Sequence, residues 1–182
     1  LFAETAVFID AATCDVMARA VAAIERVAAL PGYRAHTLAR APAVAQHDFG
    51  PAGVFMGYDF HLGGDGPRLI EINTNAGGAL LNAALARAHR SCCQAMDEAL
   101  QLGPQAPDLD TTFMAMFRDE WRSQRGEMPL RTVLIVDDTP MAQYLAPEFA
   151  MARALFRAHG LLAEVADPSE LSWRDGALWH PA

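Results

Sequence analysis

Val54-Phe55-Met56-Gly57-Tyr58-Asp59-Phe60-His61-Leu62, the break Gly63-Gly64-Asp65-Gly66-Pro67, and Arg68-Leu69-Ile70-Glu71-Ile72-Asn73 decide how this chain is read. Both runs alternate and are rich in β-branched and aromatic residues, and the break between them is turn-forming, so an antiparallel hairpin is expected. On the first strand Phe55, Gly57, Asp59 and His61 share a face, and on the second Leu69, Glu71 and Asn73 do. With residues 63–67 as the loop, Leu62 is expected opposite Arg68 and Asp59 opposite Glu71. A slip of one residue would separate the two acids. In that register Asp59, Glu71 and Asn73 converge. Facing carboxylates repel, so an arrangement that keeps them calls for a cation, and three oxygen ligands suit magnesium. Alternation alone favours the plainer reading, an edge strand whose Glu71 and Asn73 face solvent.

Outward from the hairpin, Gly77-Gly78 precede a helical pattern over Ala79–Leu100, with Leu81, Ala84, Leu85, Ala88, Cys92, Ala95, Met96 and Ala99 on one face. Bare N–H groups at such a helix start receive anions. Upstream, Met17, Ala20, Val21, Ile24, Val27 and Ala28 predict a helix over Thr13–Leu30, capped by Thr13 and stopped by Pro31-Gly32. A weaker helical stretch covers Tyr33–Arg40, and Gly50-Pro51-Ala52-Gly53 punctuates the approach to the hairpin. Downstream, Gly103–Asp110 reads as a linker and Thr111–Arg125 as a helix burying Phe113, Met114, Phe117 and Trp121. Arg131–Val136, Pro147–His159 and Leu161–Val165 then give a β-α-β order, the start of a parallel, Rossmann-like unit, and Trp173–Trp179 a small hairpin. The expected class is α/β. Its expected parts are residues 1–102 with the metal-binding hairpin, a linker and helix over 103–129, and the Rossmann-like start over 130–182.

Composition removes several functions. The chain has 182 residues, 52% hydrophobic and 20% charged, with a net charge of −8, which works against phosphate backbones and nucleic acid. All 14 basic residues are arginine, which excludes a Walker A lysine and Schiff-base chemistry. Cys14, Cys92 and Cys93 form neither a zinc spacing nor a disulfide framework, so a reducing, cytoplasmic setting is expected. No apolar run is long enough for a membrane span, and Leu1–Asp10 lacks the basic start of a signal peptide. The start at Leu1 and the few strands after residue 130 lead to the expectation of a piece of a longer protein.

Gly57-Tyr58-Asp59-Phe60-His61-Leu62, the glycine-rich turn and Leu69-Ile70-Glu71-Ile72-Asn73-Thr74-Asn75-Ala76-Gly77-Gly78 resemble the metal-binding end of ATP-grasp ligases, the D-alanine–D-alanine ligase branch in particular. The resemblance implies that Asp59, Glu71 and Asn73 hold one or two magnesium ions against ATP. It also implies that Asn75, Gly77 and Gly78 lie against the phosphates, and that the Ala76-Gly77-Gly78 loop borders the acceptor substrate and the acyl-phosphate. Arg68, at the end of the hairpin loop, is a further phosphate-binding candidate by position, with a solvated arginine the plainer reading. Two positions depart from the pattern. Gly57 stands where members often carry an arginine, which removes a transition-state cation, and Ala76 stands where many have proline.

Val133–Asp138, the following helix, and the stretch from Ala163 to Trp179 resemble the opening of a pre-ATP-grasp domain. That domain ordinarily precedes the metal strands; its place after them is similar to circularly permuted ATP-grasp proteins, the group of glutathionylspermidine synthase relatives. Together the two resemblances imply an ATP- and magnesium-dependent ligase joining a carboxylate to an amine or thiol through an acyl-phosphate. Its partners would be small or peptide-like carboxylate and amine substrates, with no nucleic acid or membrane. No residue of this chain is assigned to catalysis, and the chain alone is expected to be inactive.

A non-catalytic metal- or nucleotide-binding module is the alternative. A response-regulator receiver is a weaker one, suggested by Asp137-Asp138 after Thr132–Val136 but lacking the later aspartate strand and lysine. Asp137 and Asp138 are otherwise substrate-site candidates or loop caps. The six histidines show no ligand spacing, though His61 shares the face of Asp59.

Overall fold

A computed structural model describes residues 7–88 and 108–181. It has mixed α/β character, with helices and, among the described residues, three two-stranded sheets, and divides into two compact units, Leu1–Ala76 and Gly77–Ala182.

The first unit opens with α1 (Ala11–Ala28). Its cap is Asp10 and not Thr13: Thr13 donates its N–H to Asp10 Oδ1 at 2.8 Å and its hydroxyl to Oδ2 at 2.9 Å. Met17, Ala20, Val21 and Ile24 are its half-buried stripe, whereas Val27 and Ala28 are exposed. The helix packs on a two-stranded hairpin, which is too narrow a surface to bury a whole helical face. Pro31, expected to stop α1, also starts α2 (Pro31–Leu38), because its missing N–H is no loss in a first turn.

The hairpin pairs β1 (Met56–Gly63) with β2 (Gly66–Thr74). Its turn is tighter than expected. Gly63 faces Gly66 around Gly64-Asp65, so Leu62 faces Pro67 and not Arg68. Gly66, at φ 96°, accommodates the reversal that a side chain would strain. A bulge then shifts the ladder between Asp59 and Phe60: Phe60 faces Leu69, Asp59 faces Glu71, and Ile70 is the extra residue. Ile70 is accordingly exposed at 69%. Beyond the bulge Leu69 lies with Phe60, on the opposite face from Glu71, which revises the expected grouping of Leu69, Glu71 and Asn73.

The second unit contains α3 (Ala79–Ala88), α4 (Leu109–Arg125), β3 (Thr132–Val136), α5 (Ala146–Ala158) and β4 (Leu162–Ala166). A hairpin of β5 (Ser172–Arg174) and β6 (Ala177–Trp179) comes last. The expected continuation of α3 to Leu100 and the linker from Gly103 lie largely outside the described residues. β3 and β4 pair in parallel through α5, from Thr132 opposite Leu162 to Val136 opposite Ala166. The core is built from Leu80, Met114, Leu155, Phe156, Leu161 and Ala163. Phe117 meets Phe156 edge to face at 4.9 Å, a geometry that contributes about 0.5–1.5 kcal/mol beyond burial. On α3 the buried positions are Leu80 and Ala83, one residue round from the expected Leu81–Ala84 stripe. Because Leu80 and Met114 belong to this core, the boundary between units falls at Ala76–Gly77, upstream of the expected break at residue 102.

Candidate functional site

In the first unit the ladder sets Asp59 directly opposite Glu71 and Gly57 opposite Asn73, on one face of the hairpin. Asn73 donates its Nδ2 hydrogen to Asp59 Oδ2 at 3.4 Å. Neither Asp59 nor Glu71 pairs with an arginine among the described residues, although their carboxylates face each other. Among those residues no group of three or more His, Cys, Asp and Glu side chains comes together. The oxygen set is two carboxylates and one amide.

Glycine at 57 is tied to that set sterically. A Cβ there would stand 3.2 Å from the Ala76 Cβ and 3.4 Å from the Asn73 Cβ. Gly57 and Ala76 are therefore neighbours that fit each other. Ala76 is held there by its N–H, which donates to the Phe55 carbonyl at 3.0 Å. Asn75 leaves β2 at φ 57°, a left-handed conformation that asparagine tolerates better than most residues.

Arg68 lies opposite His61 and pairs with Asp65 of the turn at 2.9 Å, largely in solvent. His61 is two residues beyond Asp59 on the same face of β1. On the other face, Tyr58 donates its hydroxyl to Glu25 of α1, which ties hairpin to helix and pushes the phenol above its ordinary pKa.

Gly77 and Gly78 belong to the second unit. Gly78 N–H donates to Glu148 Oε2 and Leu80 N–H to Glu148 Oε1 at 2.8 Å, so a buried carboxylate of the chain itself serves the α3 N-terminus. A Cβ at Gly77 would strike Leu145 and come within 3.4 Å of Glu148 Oε2. Glu148 is not legible as a partner in the sequence: Pro147-Glu148 looks like any acidic first turn, and its acceptor role depends on distant Leu80.

The Asp137 carboxylate stays within its own loop, while the Asp137 N–H donates to the Ala166 carbonyl of β4 at 3.3 Å. Asp137 Oδ1 accepts from Asp138 N–H at 2.7 Å, and Gln143 Nε2 donates to the Asp138 carbonyl at 2.6 Å. The carboxylate that bridges the ends of β3 and β4 is Asp167, which accepts from Thr139 N–H at 2.7 Å and from Ser169 N–H at 2.8 Å. The Ser169 hydroxyl, which donates to Asp167 Oδ1 at 2.6 Å, and after it the two N–H groups hold its pKa below the ordinary carboxylate value. The signal for it is present in Asp167-Pro168-Ser169-Glu170, a capping-box spacing with proline at the first helical position.

No known family model, curated protein or solved structure matches the chain. Among the described residues no helix is long and apolar enough to cross a membrane.

Proposed function

We propose that the hairpin is the magnesium-binding end of an ATP-grasp-like ligase of the circularly permuted kind. The observation that carries the reading is the Asp59–Glu71 pair with Asn73 beside it and no arginine among the described residues to neutralise it. The donor chemistry fits the ion. Magnesium prefers hard oxygens and accepts a few carboxylates with water and phosphate completing its shell. A half-turn of the Asn73 amide exchanges its N–H for an oxygen facing Asp59. When bound, the ion supplies charge compensation for the transferring phosphoryl group. Asp59 and Glu71 would hold it, Asn73 would orient it, and Gly57 would leave room for Asn73.

For the nucleotide the chain offers less. Arg68 is engaged by Asp65, and two N–H groups at the α3 start are taken by Glu148. Contacts of Asn75, Gly77 and Gly78 with ATP rest on the resemblance, and that of Arg68 on its position at the end of the loop. The parallel β3-α5-β4 segment is read as the start of a Rossmann-like pre-ATP-grasp domain, and the substrates as a carboxylate and an amine. Engagement of the α3 N-terminus by Glu148 is the observation that favours the second reading, a module that binds metal without catalysis.

A magnesium titration of the isotopically labelled chain tests the site. Saturable shifts of the Asn73 side-chain amide and of the Asp59 and Glu71 backbone amides are expected, and are lost in Asp59→Asn. Resonances that do not move at millimolar magnesium refute the metal assignment.

A further inference from the structure

The parallel strands β3 and β4 end side by side, and the loops after them enclose a cleft of about 540 Å³ against one face of α5. The carboxyl ends of parallel strands are where ligands of such sheets bind. The helix wall is Ala146, Phe149, Ala150 and Arg153, a spacing that lines up one helical face. The two alanines open space beside the Phe149 ring, and Arg153 brings a charge to that wall. The facing wall carries Asp167 and Glu170.

The charges divide between the walls. Arg153 stands 3.8 Å from Glu164, but Arg157 pairs with the same carboxylate and also donates its Nε hydrogen to the Ala163 carbonyl at 3.0 Å. One carboxylate thus serves two guanidinium groups, Arg157 being the closer, so Arg153 is only partly neutralised where it lines the cleft. Across from it, Asp167 is kept ionised by the donors of Thr139 and Ser169, and Glu170 accepts from Asp167 N–H at 2.8 Å through one of its oxygens. Positive charge on one side, negative on the other and an apolar patch between them are complementary to a zwitterion with an apolar body.

We propose that this cleft binds a free amino acid or dipeptide with an apolar side chain. Its carboxylate would lie on Arg153, its ammonium on the Asp167–Glu170 side, and its side chain against Phe149. The proposal goes beyond the ligase reading and does not depend on it, since neither metal nor nucleotide takes part in these contacts.

Calorimetric titration of the full chain with leucine and with leucyl-leucine, without magnesium or ATP, is the test. Saturable binding of at least one is expected, and whichever binds more tightly identifies the source. The C-terminal amide of that ligand, and the Arg153→Gln variant with the unmodified ligand, should each bind about tenfold or more weakly, because a charge-assisted pair is lost. Ala150→Phe, which fills the cleft, should abolish binding. If neither ligand binds, or if the amide binds as well as the acid, the proposal fails. Should Arg153→Gln lose its native circular dichroism, the amide comparison on the unaltered chain decides alone.

Discussion

Glu148 on α5 accepts the Leu80 N–H of α3 at 2.8 Å and, through its other oxygen, the N–H of Gly78. It is the one buried charged residue among those described, and its desolvation is offset by two donors of a helix start that would otherwise be orphaned.

Removing that carboxylate leaves buried donors unpaired. Glu148→Ala is expected to lower the unfolding free energy by about 2–3 kcal/mol, the scale of hydrogen bonds to a charged group. Glu148→Gln, which keeps one acceptor, should lose about half as much. Urea denaturation of the two variants checks both the size and the order.

Gly57 gives a steric test. Gly57→Arg adds a side chain whose Cβ would press on Ala76 and Asn73. Overpacking should cost about 1–3 kcal/mol, and the Asn73 side-chain amide signals should shift. A variant as stable as the parent, with unmoved Asn73 signals, would show that the backbone yields freely.

The facing acids predict effects of opposite sign. Without metal, Glu71→Gln removes repulsion across the ladder and should leave stability unchanged or raise it by a few tenths of a kcal/mol. With magnesium present, the same variant should lose any metal-dependent rise in melting temperature. A large loss of stability in the metal-free variant would instead make Glu71 a structural partner.

Asp167 predicts a pH dependence. Its folded pKa lies below the ordinary value of 3.8, so its stabilising contribution is complete above that value and is lost as the pH falls through the folded pKa. Melting temperatures of the parent should therefore fall on acidification below about pH 4. Asp167→Asn should melt lower at pH 7 and show a shallower acid limb. Parallel limbs would contradict the role given to the Thr139 and Ser169 donors.

Much of the fold is legible in the sequence because short-range rules govern it. Gly126 and Gly160 end α4 and α5 with positive φ, and Asp175-Gly176, both at positive φ, turn the last hairpin. The differences lie where local signals compete or where a partner is distant. Asp10 displaces Thr13 as the cap of α1 because Thr13 can serve it twice, with N–H and hydroxyl. The buried side of α3 is shifted by one residue because apolar residues surround that helix, so periodicity does not choose between Leu80 and Leu81. The facing of Asp59 and Glu71 is expected from a longer loop and a regular ladder, whereas a shorter loop with a bulge produces it. Glu148 and Asp167 act across the fold on Leu80 and Thr139, contacts to which no periodicity is sensitive.

The bulge at Ile70 means that more than one hairpin can bring the same two acids together. With Gly63 closing on Gly66, an unbroken ladder would set Asp59 against Ile70 and turn Glu71 to the other face. The extra residue in β2 corrects that offset. Deleting Ile70 would leave a straight strand with Asp59 and Glu71 still facing. A turn that closed one residue later, with Gly63 opposite Pro67, would align them with no bulge at all. Turn closure and bulge are thus coupled coordinates of one alignment, and chains that differ in both can present identical pairs of carboxylates.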